Sequence, residues 1–256
     1  MEIIRKNNSI SAFVKEIFLL QDTVDIEHKL PFFADGYPGI MFSETQKKIQ
    51  LLPRNKPLPT FFLFGQTIQP IELLVDGPYK LIVFQLYPFA TRLLLGIDPK
   101  SINDECFDLT QIEHINVHQT ISLLIKSETD EQIKIIEKYI LQLIRSSSKE
   151  ADNVVKMAVS SIIDSRGTVT IKKLRRQLFV KERTLERKFL SEIGVTPKQF
   201  AKIIQFSFSL NQIKKSDYTN LTNVAYDNGF ADQSHFIKTF KQYTGKSPKE
   251  LLINIT

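Results

Sequence analysis

Two sets of polar side chains in the C-terminal part of the chain are spaced to act from one face of a helix. In KERTLERKFLSEIGVTP, residues 181–197, Arg183, Glu186 and Arg187 fall at i, i+3 and i+4, with Thr184 among them and Lys181 and Lys188 flanking. In GFADQSHFIKTFKQYTGKSP, residues 229–248, Gln233, Ser234, Ile237, Lys238 and Lys241 share a face in the same way. Amides, hydroxyls and guanidinium groups can bond the edges of bases, and amines can meet phosphates. This is the chemistry of recognition, not of bond making. No Gly-rich phosphate loop and no GxSxG elbow occurs in the sequence, so no catalytic residue is assigned. A single pattern of this kind is as readily a solvated helix face. Its repetition about fifty residues apart, with the same punctuation, favours recognition.

The elements that would position these groups follow from the apolar residues between them. Leu185, Phe189 and Ile193 make an inward stripe in the first stretch; Phe236, Phe240 and Tyr243 repeat at i, i+4 and i+7 in the second, with Phe230 just ahead. Asp232 suits a helix N-cap, and Gly229 suits the left-handed end of the helix before it. Helix, glycine turn, helix is a helix-turn-helix signature. Gly194-Val195-Thr196-Pro197 and Gly245-Lys246-Ser247-Pro248 each read as helix stop, cap and Pro-led restart. Between the two units, PKQFAKIIQFSFSLNQIKK predicts a helix of about 25 Å. Such a rod can hold two reading helices about one DNA turn, ~34 Å, apart. Helices are expected over about 151–164, 170–178, 182–192, 197–214, 221–228, 232–243 and 248–253.

Charge divides the chain in the same place. The 256 residues carry a net +6, but residues 151–256 hold 18 Lys/Arg against 9 Asp/Glu, and the first 150 hold 16 against 19. A basic back half behind a slightly acidic front suggests that only the back meets a polyanion. No run of eighteen apolar residues occurs, and MEIIRKNNSISAF lacks a signal-peptide core, so no membrane contact and a cytoplasmic home are expected. The front half alternates short apolar runs with turn residues. Strands are expected at 16–20, 48–53, 60–65, 70–75 and 79–87, separated by PFFADGYPG, RNKP and DGP, which suggests a sandwich or barrel. PFATRLLLG, 88–96, reads as a short helix that Gly96 ends. TDEQIKIIEKYILQLIR, 129–145, places Ile133, Ile136, Ile140, Leu143 and Ile144 on one stripe. That stripe either packs on its own sheet, the reading favoured by its two heptads, or forms a dimer seam. SSSKEAD, 146–152, is the natural boundary, giving a β-rich regulatory domain with C-terminal helices at 1–148 and an all-helical domain at 149–256.

Two further groups carry residue types capable of chemistry. His114 and His118 stand at i, i+4, a spacing that can grip a metal, but HExxH and a third ligand are missing, so no metal is assigned. Cys106 is the chain's one cysteine, which rules out a cysteine-rich zinc centre and reads as a small buried hydrophobe. No cofactor is expected, and the chain is not read as an enzyme.

VAYDNGFADQSHFIKTFKQYTGKSP closely resembles the signature of the AraC/XylS family of bacterial transcriptional regulators, through Ala225, Gly229-Phe230, Asp232, Ser234, Phe236, Phe240-Lys241, Gly245 and Ser247-Pro248. The resemblance covers about a hundred C-terminal residues. It implies two helix-turn-helix subdomains on a long helix, with recognition helices near Lys181–Ser191 and Asp232–Gln242. Base-facing candidates are then Arg183, Glu186 and Arg187 in the first and Gln233, Ser234, Ile237 and Lys238 in the second; Lys181, Thr184 and Lys241 complete the candidate DNA contacts. The chain departs from the family at QFSFSLN, where an arginine is usual, at Arg175, where a small residue is usual, and at Leu251-Leu252. The front half looks like an N-terminal module of some members, and related members use a cupin-like domain there to bind an effector or dimerise. The expected partners are double-stranded DNA and RNA polymerase, with a small-molecule effector and a second copy of the chain as further candidates. The fold class expected is α+β in two domains, a cupin-like sandwich or barrel followed by the double helix-turn-helix unit. A sensor whose barrel gates DNA binding extends this reading, and a metal-dependent cupin-type enzyme fused to a DNA module competes with it.

Overall fold

The computed structural model describes residues 2–113, 116–147 and 150–253. Its N-terminal strands are β1 (Glu2–Ile4), β2 (Val14–Asp22), β3 (Glu27–Phe32), β4 (Gly39–Thr45), β5 (Gln50–Leu52), β6 (Lys56–Pro57), β7 (Phe61–Phe64), β8 (Ile71–Asp76), β9 (Tyr79–Leu86) and β10 (Cys106–Asp108). They form one antiparallel sheet in the order β1-β2-β9-β4-β7-β10 and another in the order β3-β8-β5-β6. The sheets face one another without joining at their edges, so the architecture is a sandwich and not the closed barrel left open by the sequence.

The central strands are apolar on both faces because both faces are covered. In β9, Leu81 and Val83 enter the layer between the sheets with Met41, Phe62 and Leu73. The alternate residues Ile82 and Phe84 point the other way, onto helices, with Ile40, Phe42 and Phe61. A strand buried twice over loses the polar alternation of a half-buried one and reads as a continuous apolar run.

The helices over that outer face are α1 (Ala90–Leu95), α2 (Val117–Ile125) and α3 (Thr129–Ser146). Gly96 ends α1 at φ 69°, as expected. The stripe of α3 lies in its own domain's core: Ile133, Ile136, Ile140 and Leu143 are buried, and Tyr139 meets Phe61 edge-on at 5.3 Å. His114 lies outside the described residues, and its partner His118 is exposed on α2. Cys106 sits half-buried on β10, where burial pushes its thiol up to about 12.

Seven helices follow: α4 (Asn153–Asp164), α5 (Ile171–Gln177), α6 (Glu182–Ile193), α7 (Pro197–Lys214), α8 (Leu221–Asp227), α9 (Gln233–Thr244) and α10 (Pro248–Ile253). Their bounds agree with the expected ones within two residues. The front half agrees less well. β1, β3, β4, β6 and β10 lie outside the strands expected from the sequence. β4 opens at Gly39, inside a stretch whose residues read as a turn, and β3 carries Pro31 and a polar alternation that mask it.

Candidate nucleic-acid interface

α6 is the helix that carries the first polar set. Leu185, Phe189 and Ile193 are buried against α4 and the first half of α7, which fixes the opposite face outward. On that face Lys181, Arg183, Glu186 and Arg187 are exposed and Thr184 is half-buried. Lys188 behaves differently: its ammonium pairs with Asp152, the residue that also caps α4, so its charge is spent inside the domain. Gly194 ends α6 at φ 85°, and Thr196 and Gln199 form a reciprocal capping box at the start of α7. In the turn before α6, Phe179 adopts φ 53°, a region side chains resist, with its ring 96% exposed.

α9 carries the second set. Asp232 accepts from the His235 backbone N–H at 2.7 Å, and Gly229 takes φ 73° after α8. Phe236, Phe240 and Tyr243 are fully buried with Phe230. Gln233, Ser234, Lys238 and Lys241 are exposed. Ile237, expected to face outward, is half-buried and leans on the apolar core, since its position on the helix borders the aromatic stripe. The Gly245–Pro248 stop repeats the first: Gly245 has φ 71°, and Ser247 and Glu250 bond each other's backbone reciprocally.

α7 joins the two units through aromatic feet six residues apart. Phe200 meets Phe189 at 5.9 Å, and Phe206 meets Phe240 at 5.1 Å and Tyr243 at 5.0 Å. Eighteen residues make a rod of ~27 Å. Lys202 on α7 donates to Gln242 Oε1 on α9 at 2.8 Å, and burial, with Lys238 and Lys198 nearby, holds its ammonium below the usual lysine range. The outward surface therefore includes a cluster of three cations spanning α7 and α9. Lys198 and Lys202 at i, i+4 were the signal for it in the sequence.

The sandwich grips this domain at several points. Arg92 Nη1 donates to the Ser191 carbonyl at 3.0 Å and Asn103 Nδ2 to the Gly194 carbonyl at 2.9 Å, so residues of the front half satisfy carbonyls at the end of α6. The loop after β3 wedges Ala34 into the core of the second unit and Tyr37 into that of the first. Gly36, at φ 87°, lies where a Cβ would come within 2.8 Å of Ile204. Beneath that loop, between the sandwich and α7, is a cavity of about 480 Å³ lined by Phe18, Leu30, Leu81 and Val83 and by Lys15, Asp35 and Lys214. Lys15 lies 4.0 Å over the Tyr37 ring and Lys214 4.4 Å over Phe33, and neither has an ion-pair partner among the described residues. No local pattern announces this site; its groups come from positions up to two hundred residues apart.

Two exposed polar helix faces on a shared rod, behind a β sandwich, define a double helix-turn-helix DNA-binding unit with an N-terminal module. Residues 174–253 match a helix-turn-helix domain family, and residues 5–108 match a domain of unknown function, DUF6597. The curated relatives include the HTH-type transcriptional activator RhaS of Mannheimia succiniciproducens, 37% identical over 71 residues, which are 28% of this chain and 26% of that protein. RhaS of Escherichia fergusonii is 32% identical over 69 residues, 27% of this chain and 24% of the relative. The match thus spans about a quarter of the length of these relatives. Among solved structures, ToxT from Vibrio cholerae superposes with a TM-score of 0.54 at 14% identity, covering 93% of this chain and 97% of ToxT. Wild-type ToxT bound to unsaturated fatty acid gives 0.53 at 15% identity, covering 98% and 97%. The fold is therefore that of ToxT over 93% of the chain. The C-terminal part is a helix-turn-helix DNA-binding domain, set behind a β-rich N-terminal module.

Proposed function

We propose that the chain is a transcriptional regulator that reads two successive major-groove segments of its operator with α6 and α9. The observation that carries this is the pairing of two exposed polar faces with two fully buried apolar stripes on one rod. Arg183, Thr184, Glu186 and Arg187 are assigned to bases in the first segment, and Gln233, Ser234 and Lys238 in the second, with Ile237 a shallow apolar contact. Lys181, Lys241 and the Lys198–Lys202 pair take phosphates. Residues 149–256 form the DNA-binding part and residues 1–148 the regulatory part. RNA polymerase and a second copy of the chain are the remaining partners of this reading. A binding titration tests it: the full chain on a fragment selected from genomic DNA should bind ~10³-fold or more tighter than on random sequence at the same salt. Equal affinities would refute sequence reading.

The cavity between the sandwich and α7 favours a second, compatible role as an effector site. Its volume lies in the ~300–1,000 Å³ range of small-molecule sites, and its lining combines apolar side chains with charged ones, Lys15, Glu16, Asp35 and Lys214 among them. ToxT has been solved with an unsaturated fatty acid and with (E)-4-(8-methylnaphthalen-1-yl)but-3-enoic acid, both acids with apolar bodies. Lys15 and Lys214 suit the carboxylate of such a molecule here. A stabilising shift in Tm with a medium-chain acid is the expected result, and none would remove this role.

A further inference from the structure

The cavity holds more than cations. Three lysines, Lys15, Lys214 and Lys215, share its lining with two carboxylates, Glu16 and Asp35. One positive charge is left over, and one ligand carboxylate balances it. Asp35 is the group that complicates a plain acid. It is half-buried, and it accepts from the Tyr37 backbone N–H at 2.8 Å and from Gln85 Nε2. A carboxylate offers about four lone-pair sites, so Asp35 keeps acceptor capacity beyond these two bonds. An unsubstituted carboxylate placed against Lys15 and Lys214 brings a second negative charge close to Asp35 and gives it no proton. An ammonium head would satisfy Asp35 but would face three lysines. A neutral donor beside an anionic head satisfies both sides.

Resting on the effector reading above, we propose that the cavity selects a carboxylic acid with an apolar tail and a hydroxyl near its head, the carboxylate facing Lys15 and Lys214 and the hydroxyl donating to Asp35. The apolar body then lies along Phe18 and Leu81, between the two sheets.

Calorimetric titration of the full chain at pH 7.5 with decanoate, 2-hydroxydecanoate and 3-hydroxydecanoate tests this. One hydroxy acid should bind about tenfold tighter than decanoate, the worth of a hydrogen bond to a charged group. Asp35→Asn should erase that preference, whereas Lys214→Gln should weaken the acids together and leave their ratio unchanged. Decanoate binding as tightly as both hydroxy acids, or a preference that survives Asp35→Asn, would overturn the proposal while the cavity remained an acid site. If none of the three binds, the effector reading itself fails and takes this proposal with it. Should Asp35→Asn not fold, the ratio in the unaltered chain and in Lys214→Gln still decides.

Discussion

Arg187 and Gln233 stand on exposed faces whose backs are pinned by Phe189 and Phe236, so truncating either should change contacts and not the fold. Arg187→Ala or Gln233→Ala should cost about 1–3 kcal/mol on a selected site and much less on random DNA. Lys241→Ala should weaken both alike and lower the salt dependence, because a phosphate contact carries no sequence. Anisotropy titrations at several salt concentrations separate the two behaviours. Phe179 makes a different prediction. Its φ of 53° suits glycine, and its exposed ring gains little from packing. Phe179→Gly should therefore raise stability by about 1 kcal/mol in urea denaturation, from relief of the left-handed backbone. A loss of stability would mean that the ring is held by contacts in solution.

The reading helices depend on the rod and on the grip at the end of α6. Phe206 is fully buried between Phe240 and Tyr243, and Phe206→Ala should cost ~3–5 kcal/mol by cavity formation. Gly194 combines φ 85° with backbone of Pro99 and Lys100 lying within 2.8 Å of where a Cβ would sit. Gly194→Ala should lower Tm and loosen the front half from α6, read as faster hydrogen exchange across residues 188–194 and 99–103. The helical elements were legible because caps, glycine stops and aromatic spacing are local: Asp232, Gly229 and the Thr196-Pro197 restart all stand where the sequence places them. The sandwich was less so. β3 and β4 flank a loop whose Gly and Pro residues read as a turn, yet Gly36 and Tyr37 are there to meet α7. Lys15, Asp35 and Lys214 converge only through tertiary packing, and Arg92 and Asn103 find their carbonyls 99 and 91 residues away.

At the scale of the molecule, Asp35 lies where the sandwich, the wedge loop and α7 meet. Burial pushes its carboxyl up to about 6, against the Tyr37 N–H, Lys15 and Gln85, which pull it down. The folded chain therefore holds this proton more tightly than the unfolded chain, and the contribution of Asp35 to stability falls as pH rises from about 4 to 6. Thermal denaturation of the unaltered chain and of Asp35→Asn should show a gap favouring the variant at pH 7 that closes by pH 4. A gap independent of pH would place the Asp35 carboxyl outside that window. The rod makes the central claim of the account: α7 fixes α6 and α9 in register with the pitch of the duplex. Inserting ~5 bp, half a helical turn, between the two contacted segments of a selected site tests it most directly. Binding should collapse toward that of random DNA and return in part when ~10 bp are inserted only if the linkage stretches, which the helical α7 forbids; loss with both insertions is therefore predicted. Undiminished affinity with the ~5 bp insertion would contradict the account.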